Sequence, residues 1–487
     1  MRRNRGRVKD PILRLILLAT ALRLLFGWLI GLGVDESYMV AAGRVPALGY
    51  FDHPPAAWWL SWGAAHLLGT ESPLAVRLPF ILLFALTTWL VARIGVLLAG
   101  DRAGYWAAVT LTLSPVFGVT SGSWVLPDGP LDCALAGAAL CLLHSVSGDR
   151  HPWGWWCGAG VCAGLALFSK YSATLTIAGA FAFLLTSREH RVWLRRPHPY
   201  AAAGLALLVF SPVIVWNATH GWASFAFQGA RAAGPRFRPW LPLETLAGEA
   251  LFVLPWLWLP MVFLGLRALR GGDERTRLLA CLAAPPVLVF ALISAWSSQR
   301  VLYHWAAPGY LMLFPLLGRW VAGREGHPAI RRVLAGTAAL TLLALTLIAL
   351  QVRTDALGWL MPAKDPTAEG VVWTSLRDEL DARGLLKPGT IVGVPNWRDA
   401  GKIGHALGPE VTVLCLNPDS RQFGVVAPLS RWAGSTLLVL SAGRPDRALP
   451  AVARYFDAME TLPDAQVRLR GRVLKTIGVA IGTGLKP

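Results

Sequence analysis

Residues 12–36 read ILRLILLATALRLLFGWLIGLGVDE. An apolar run of this length crosses the roughly 30 Å hydrocarbon core of a bilayer as a helix. It ends on a carboxylate pair, Asp35-Glu36. Acidic groups at a membrane are costly and are not needed to hold a helix there. A second polar cluster, Gly49-Tyr50-Phe51-Asp52-His53-Pro54-Pro55, follows close behind. Membrane-spanning structure with chemistry at the lipid–water boundary is the first expectation.

The remaining sequence extends that pattern. The chain is 54% hydrophobic and 15% charged, where soluble proteins carry about 25% charged residues. Apolar stretches recur at residues 12–34, 75–98, 104–122, 130–147, 154–169, 171–187, 200–216, 246–266, 278–296, 305–322 and 333–352. Eleven spans are therefore predicted. The first is read as an uncleaved span, because its apolar run is too long for a signal peptide and lacks a small-residue cleavage site. The 23 tryptophans suit interfacial belts.

A net charge of +18 would point to nucleic acid in a soluble protein. Here the basic residues collect in alternate connections, about 20 against about six, which is the positive-inside pattern. Those at Arg2–Lys9, Arg102, Arg150, Arg188–Arg196, Arg267–Arg277 and Arg319–Arg332 fall on one side. Arg44, Lys170, Arg231, Arg236, Arg238 and Arg300 fall on the other. Nucleic acid is set aside as a partner, and the N-terminus is placed in the cytoplasm. The six cysteines form no metal-type CxxC pair, and no disulfide framework is expected.

Near Arg353 the composition changes. Short β-branched runs at 390–394, 411–416 and 436–441 alternate with helical patterns at 371–380, 399–407 and 451–459. That alternation predicts a small α/β domain. The expected division is residues 1–352 in the membrane and 353–487 on the outer face.

The outer connections 35–74, 122–129, 217–245 and 297–304 carry the candidate residues, each with a plainer alternative. Asp35 and Glu36 fit a general base or a ligand for sugar hydroxyls, or else a polar helix end. Asp52 caps the following helix or binds substrate; His53 is a ligand or an internal hydrogen-bonding group. The stretch 56–68 is too short to cross and reads as an interfacial amphipathic helix. Asp128 is a second carboxylate or a helix cap. Lys170 breaks the positive-inside trend, either by snorkelling or as a point charge for a lipid-linked phosphate. Arg300 offers a planar fork for phosphate, with His304 beside it. Asn217-Ala218-Thr219 matches a short glycosylation triplet at the membrane edge.

In order, these residues form a set: Asp35-Glu36, Gly49 to Pro55, Pro127-Asp128, Ser169-Lys170-Tyr171, Trp216-Asn217 with His220-Gly221-Trp222, and Arg300 with His304-Trp305. The set resembles the bacterial GT-C glycosyltransferases, in the ArnT-like and protein mannosyltransferase-like branch (glycosyltransferase families 83 and 39). The resemblance covers about residues 10–320 and the segment Asp399-Ala400-Gly401-Lys402. It implies a GT-C membrane fold and a polyprenyl-phosphate-linked sugar as donor, used at the outer face of the bacterial inner membrane with inversion. Asp35 and Asp128 take the places of the family's two loop carboxylates, and Lys170 that of its phosphate-binding lysine. Glu36, Tyr50, Asp52, His53, Tyr171, His220, Arg300 and His304 become candidates for substrate binding.

The resemblance leaves a divalent metal open and assigns it no ligand. Lipid A or lipopolysaccharide, another glycan or a protein would each serve as acceptor. An acidic donor sugar would call on Arg231, Arg236 and Arg238. A flippase for a lipid-linked sugar is the reading from a different class, and a scaffold with an outer binding domain a third. A transporter would place ionisable groups near the midplane of related halves, and no internal repeat is visible.

Overall fold

The computed structural model describes residues 9–148, 151–231, 236–297, 300–361, 365–442 and 445–486. Arg150 and the basic residues before Lys9, used above for orientation, lie outside that set. Each of the eleven apolar stretches falls on helix. Among the described residues six helices are long and apolar enough to cross a membrane: Pro11–Leu29, Pro73–Ala99, Asp128–Val146, His198–Thr219, Glu274–Ser294 and Pro328–Thr354. Leu241–Val253 and Pro255–Gly271 make a seventh if the pair counts as one span. The chain is a multi-pass membrane protein.

Three stretches expected to be continuous are broken. The one at 246–266 bends by 114° between Val253 and Pro255. Leu254 stands there at φ 86°, and Pro255 has no N–H to continue the helical ladder. The one at 104–122 is a helix over Asp101–Leu113, then a π-helical turn over Val116–Ser121 after Pro115. The one at 305–322 divides into Tyr303–Ala306, Ala307–Leu311 and Phe314–Ala322, with prolines at 308 and 315.

The described residues form two compact units. The first comprises Met1–Leu24, Leu48–Ala57 and Pro79–Leu342. Its helices Pro152–Ser169 and His198–Thr219 pack through small residues. A Cβ on Gly160 would lie 2.4 Å from the Ala202 carbonyl oxygen, and one on Gly164 would lie 2.8 Å from that of Ala206. Close backbone approach of this kind supplies van der Waals contact where lipid offers no hydrophobic drive between helices. Larger side chains such as Phe84, Phe117 and Phe314 fill the centre.

The second unit comprises Leu25–Ala47, Trp58–Leu78 and Leu343–Pro487. It holds a five-stranded sheet of β1 (Ile391–Val394), β2 (Thr412–Cys415), β3 (Leu437–Ser441), β4 (Ala458–Leu469) and β5 (Arg472–Thr483), in the order β2-β1-β3-β5-β4. The first three pair in parallel, and β5 runs antiparallel to β3 and β4. The helix expected at 451–459 instead occupies Pro445–Val452, and strand begins at Ala458. The β4–β5 hairpin was not anticipated. It turns on Arg470 and Gly471, both at positive φ, the backbone a two-residue hairpin loop demands. The expected interfacial helix spans Ala56–Leu68, with Trp58 fully buried and Trp59 and Trp62 facing outward.

Candidate active site

In the second unit, Asp35 and Glu36 lie in the first turn of a short helix, Val34–Ala42. They serve different ends. Glu36 is 3% exposed. Its Oε2 accepts the Gly33 N–H at 2.8 Å, which caps its own helix. Both its oxygens accept from Arg77, at 2.7 and 2.5 Å. The same guanidinium donates to the carbonyls of Gly27, Ile30 and Gly31. The first lies in the last turn of the first span and the other two just beyond its end at Leu29, where a cation is favoured. Arg77 therefore ties the end of one helix to the start of the next, and Glu36 is occupied in that tie. Asp35 is the member of the pair left exposed.

Lys402 reinforces the same corner. It is buried and donates to the carbonyls of Leu32 and Glu369, each at 2.8 Å. Burial lowers its ammonium to about 8, with Glu36 and Glu369 opposing the shift, so it is still charged at neutral pH. Lys402 reaches this point because its helix, Trp397–Leu407, lies directly on Val34–Ala42. A Cβ on Gly401 would stand 2.7 Å from the Tyr38 Cα. The Asp399-Ala400-Gly401-Lys402 segment therefore carries a capping contact from Asn396, a notch for Tyr38 and the lysine in sequence. The surroundings of Asp35 raise its carboxyl by desolvation, while Arg421 and Arg398 oppose the rise. A raised carboxyl is a stronger proton acceptor.

In the first unit, Asp128 begins the helix Asp128–Val146, one place past the N-cap residue Pro127. It accepts from Lys170 Nζ at 2.9 Å, with the two side chains 5% and 12% exposed. This displaces both plainer readings, since the carboxylate is not a cap and the lysine does not snorkel to water. Lys170 follows the end of Pro152–Ser169 with an extended backbone, which carries the side chain off the helix axis. Lys170 is the largest charge acting on Asp128, and the His304 and His53 rings lie close enough to act on it when protonated. Burial lowers His304 to about 4, with Lys170 and Arg231 adding to the effect and Asp128 opposing it. His304 is therefore neutral at pH 7 and able to donate one hydrogen bond.

The other candidates divide. Tyr50 and Asp52 are buried, and the Asp52 carbonyl accepts from the Gln228 side chain. The Tyr171 hydroxyl lies 2.7 Å from that of Ser224. Asn217 is fully buried and donates to the Val213 carbonyl at 3.0 Å, so the asparagine of the glycosylation triplet is turned inward while Ala218 and Thr219 are exposed. His220 is exposed and stacks on Trp216, ring centroids 4.2 Å apart. Arg300 is exposed, with its guanidinium against Tyr303. The charges acting on His304 come from Asp128, Lys170 and Arg231.

Arg77 and Asp132 escaped the sequence reading, and Lys402 was read without its partner. Arg77 sits inside an apolar run and reads there as an interfacial charge, and the partner of Lys402 lies 370 residues away. Asp132 is 1% exposed, one helical turn beyond Asp128, and spacing of four on a helix puts the two on one face. That spacing was the available signal. Among the described residues no three His, Cys, Asp or Glu side chains gather as metal ligands.

Replacing Lys170 by Gln removes the counter-charge of a buried carboxylate. Any activity that draws on this charge should fall by about 10²–10³-fold, the range for losing one electrostatic donor. Thermal stability in detergent should fall as well, because one charge of a buried pair is stranded. Asp128→Asn combined with Lys170→Gln should recover the stability and not the activity.

Residues 52–216 match the family described as dolichyl-phosphate-mannose-protein mannosyltransferase. No curated protein sequence matches the chain. Among solved structures, it is similar to ArnT from Cupriavidus metallidurans in the apo state, with TM-score 0.66, 14% identity, and 96% of this chain and 97% of that one covered. The same protein bound to undecaprenyl phosphate gives TM-score 0.60 at 14% identity, over 96% and 97% of the two chains. The oligosaccharyltransferase AglB from Archaeoglobus fulgidus, in complex with an inhibitory peptide and a dolichol-phosphate, gives TM-score 0.51 at 13% identity, over 93% and 73%. The resemblance read from the ordered motifs is thereby met in three dimensions: the chain has the fold of the GT-C membrane glycosyltransferases.

Proposed function

We propose that the protein transfers a sugar from a polyprenyl-phosphate carrier to an acceptor at the outer face of the bacterial inner membrane, with inversion. The buried Lys170–Asp128 pair carries the reading. A lysine drawn into a water-poor recess by a carboxylate, with a neutral histidine nearby, suits a lipid-linked phosphate. Binding of undecaprenyl phosphate by ArnT and of dolichol-phosphate by AglB supports the donor class.

The roles follow from the chemistry. The acceptor oxygen attacks the anomeric carbon and its proton passes to the Asp35 carboxylate. The bond from that carbon to the phosphate oxygen breaks, and the electron pair leaves on polyprenyl phosphate. This leaving group needs no general acid, only charge stabilisation, which Lys170, Arg231 and a hydrogen bond from His304 supply. Residues 353–487 take part in choosing the acceptor, which is lipid A, another envelope glycan or a protein.

A flippase for the same lipid-linked sugar is the second reading, favoured by the break at Leu254 and the buried Glu249 just before it, whose carboxylate accepts from the Tyr310 hydroxyl at 2.6 Å. Purified protein in proteoliposomes, given radiolabelled polyprenyl-phosphate sugars and membrane extract, separates the two. Labelled acceptor with release of polyprenyl phosphate supports transfer; donor crossing the bilayer unchanged supports transport.

The pH dependence has a definite sign. Asp35 works as the carboxylate, so kcat/KM should fall as pH drops through its value. Because that value is raised, the acid limb should lie above the ordinary aspartate pKa of about 3.9. Asp35→Glu should shift the limb, whereas His304→Gln should leave it in place.

A further inference from the structure

A separate cavity of about 220 Å³ lies in the first unit, lined by Arg238, Glu244, Thr245, Ser294, Arg300 and Tyr303 together with aliphatic groups. It is smaller than the roughly 300 Å³ at which drug-sized pockets begin, so it takes one compact group. The Lys170–Asp128 pair does not line it.

Two features mark it as a site. Arg238 is fixed: its backbone N–H donates to the Ala295 carbonyl at 2.8 Å and its Nη2 to the Ser297 carbonyl at 2.7 Å. Its Nε is nevertheless buried, with no hydrogen-bond acceptor among the described residues. A held guanidinium with an unused buried donor, in a residue that lines the cavity, wants an acceptor, since buried donors are almost always paired. The second feature is the mixture of charge. Arg300 adds another guanidinium, while Glu244 adds a carboxylate and Thr245, Ser294 and Tyr303 add hydroxyls. A simple inorganic anion would be repelled by Glu244. A ligand carrying both an anionic group and hydroxyls uses all of them, with the anion on the arginines and its hydroxyls donating to Glu244.

We infer that this cavity binds a monosaccharide bearing an anionic substituent, a carboxylate or a phosphate, and so sets a preference for acidic sugars in the proposed transfer. Its use in transfer rests on the glycosyltransferase reading; its occupancy does not.

The test is equilibrium binding to the purified full chain in non-ionic detergent, in the Asp35→Asn background so that turnover plays no part. The probes are methyl glucuronide, glucose 1-phosphate, methyl glucoside and inorganic phosphate. Either anionic sugar should bind at least tenfold more tightly than both methyl glucoside and inorganic phosphate. The tighter of the two identifies the anionic group. Arg238→Gln should weaken that binding by about tenfold to a hundredfold, the loss of one charge-assisted hydrogen bond. Arg300→Gln keeps the test valid if the Arg238 variant fails to fold, because Arg300 is exposed and should give a loss of the same order. Equal binding of methyl glucoside, equal binding of inorganic phosphate, or wild-type affinity in a folded variant would each overturn the inference. If the anionic sugar binds and wild type transfers none of the sugars offered, the cavity stands and the transferase reading fails.

Discussion

Asp35→Asn should lower the rate of sugar transfer by about 10²–10⁴-fold, the usual contribution of a positioned general base, with little change in stability. The two halves of this expectation have separate origins. Asp35 is exposed, and the neighbouring Glu36, not Asp35, caps the helix and pairs with Arg77. Asn fills the same space and cannot accept the proton of the attacking hydroxyl. The informative measurement is a single turnover with labelled donor in proteoliposomes, run beside a melting curve. A folded Asn variant that transfers at more than about a tenth of the wild-type rate would remove Asp35 as the base. Glu36→Gln is the matched control: it should destabilise the protein, because a buried guanidinium loses its counter-charge.

Arg77→Met should have the largest effect on stability, about 3–5 kcal/mol, the cost of leaving one charge of a buried pair uncompensated. Arg77 is 1% exposed. Its bonds reach Glu36 and the carbonyls of Gly27, Ile30 and Gly31, so the variant strands a carboxylate and three helix-end carbonyls together. Thermal denaturation in detergent should show a lower midpoint. Adding Glu36→Gln should return part of the loss, since the two positions couple directly. Lysine should rescue poorly, because a point charge cannot serve five bonds in a planar fork. A variant melting within a degree of wild type would mean that the tie is ornamental.

Sequence showed where helices would be because long apolar runs need little context. It did not show where they would break. Pro79, Pro212, Pro260, Pro285 and Pro286 all lie inside continuous helices, while Pro255 follows a bend of 114°. The difference lies in whether neighbours satisfy the freed carbonyls, and one chain's order of residues does not contain that. The candidate site divides the same way. Asp35 and Lys170 were visible as charges out of place. Which acid of the pair would be consumed by structure depended on Arg77, 41 residues further on. The β4–β5 hairpin was obscured by Glu460, Pro463, Asp464 and Arg468 on an edge strand, where polar residues guard against unwanted pairing.

The bond from Lys402 to the Leu32 carbonyl joins residues 370 apart in the chain, and that distance has a meaning in time. The corner presenting Asp35 is synthesised well before one of its two buried cations. At ribosomal speeds of 5–20 residues per second, roughly 20–70 s separate the two. Throughout that interval this corner is unfinished. The tie beneath Asp35 is therefore completed only after Lys402 has been made, and a chain that stops short of it leaves the Leu32 carbonyl without that donor.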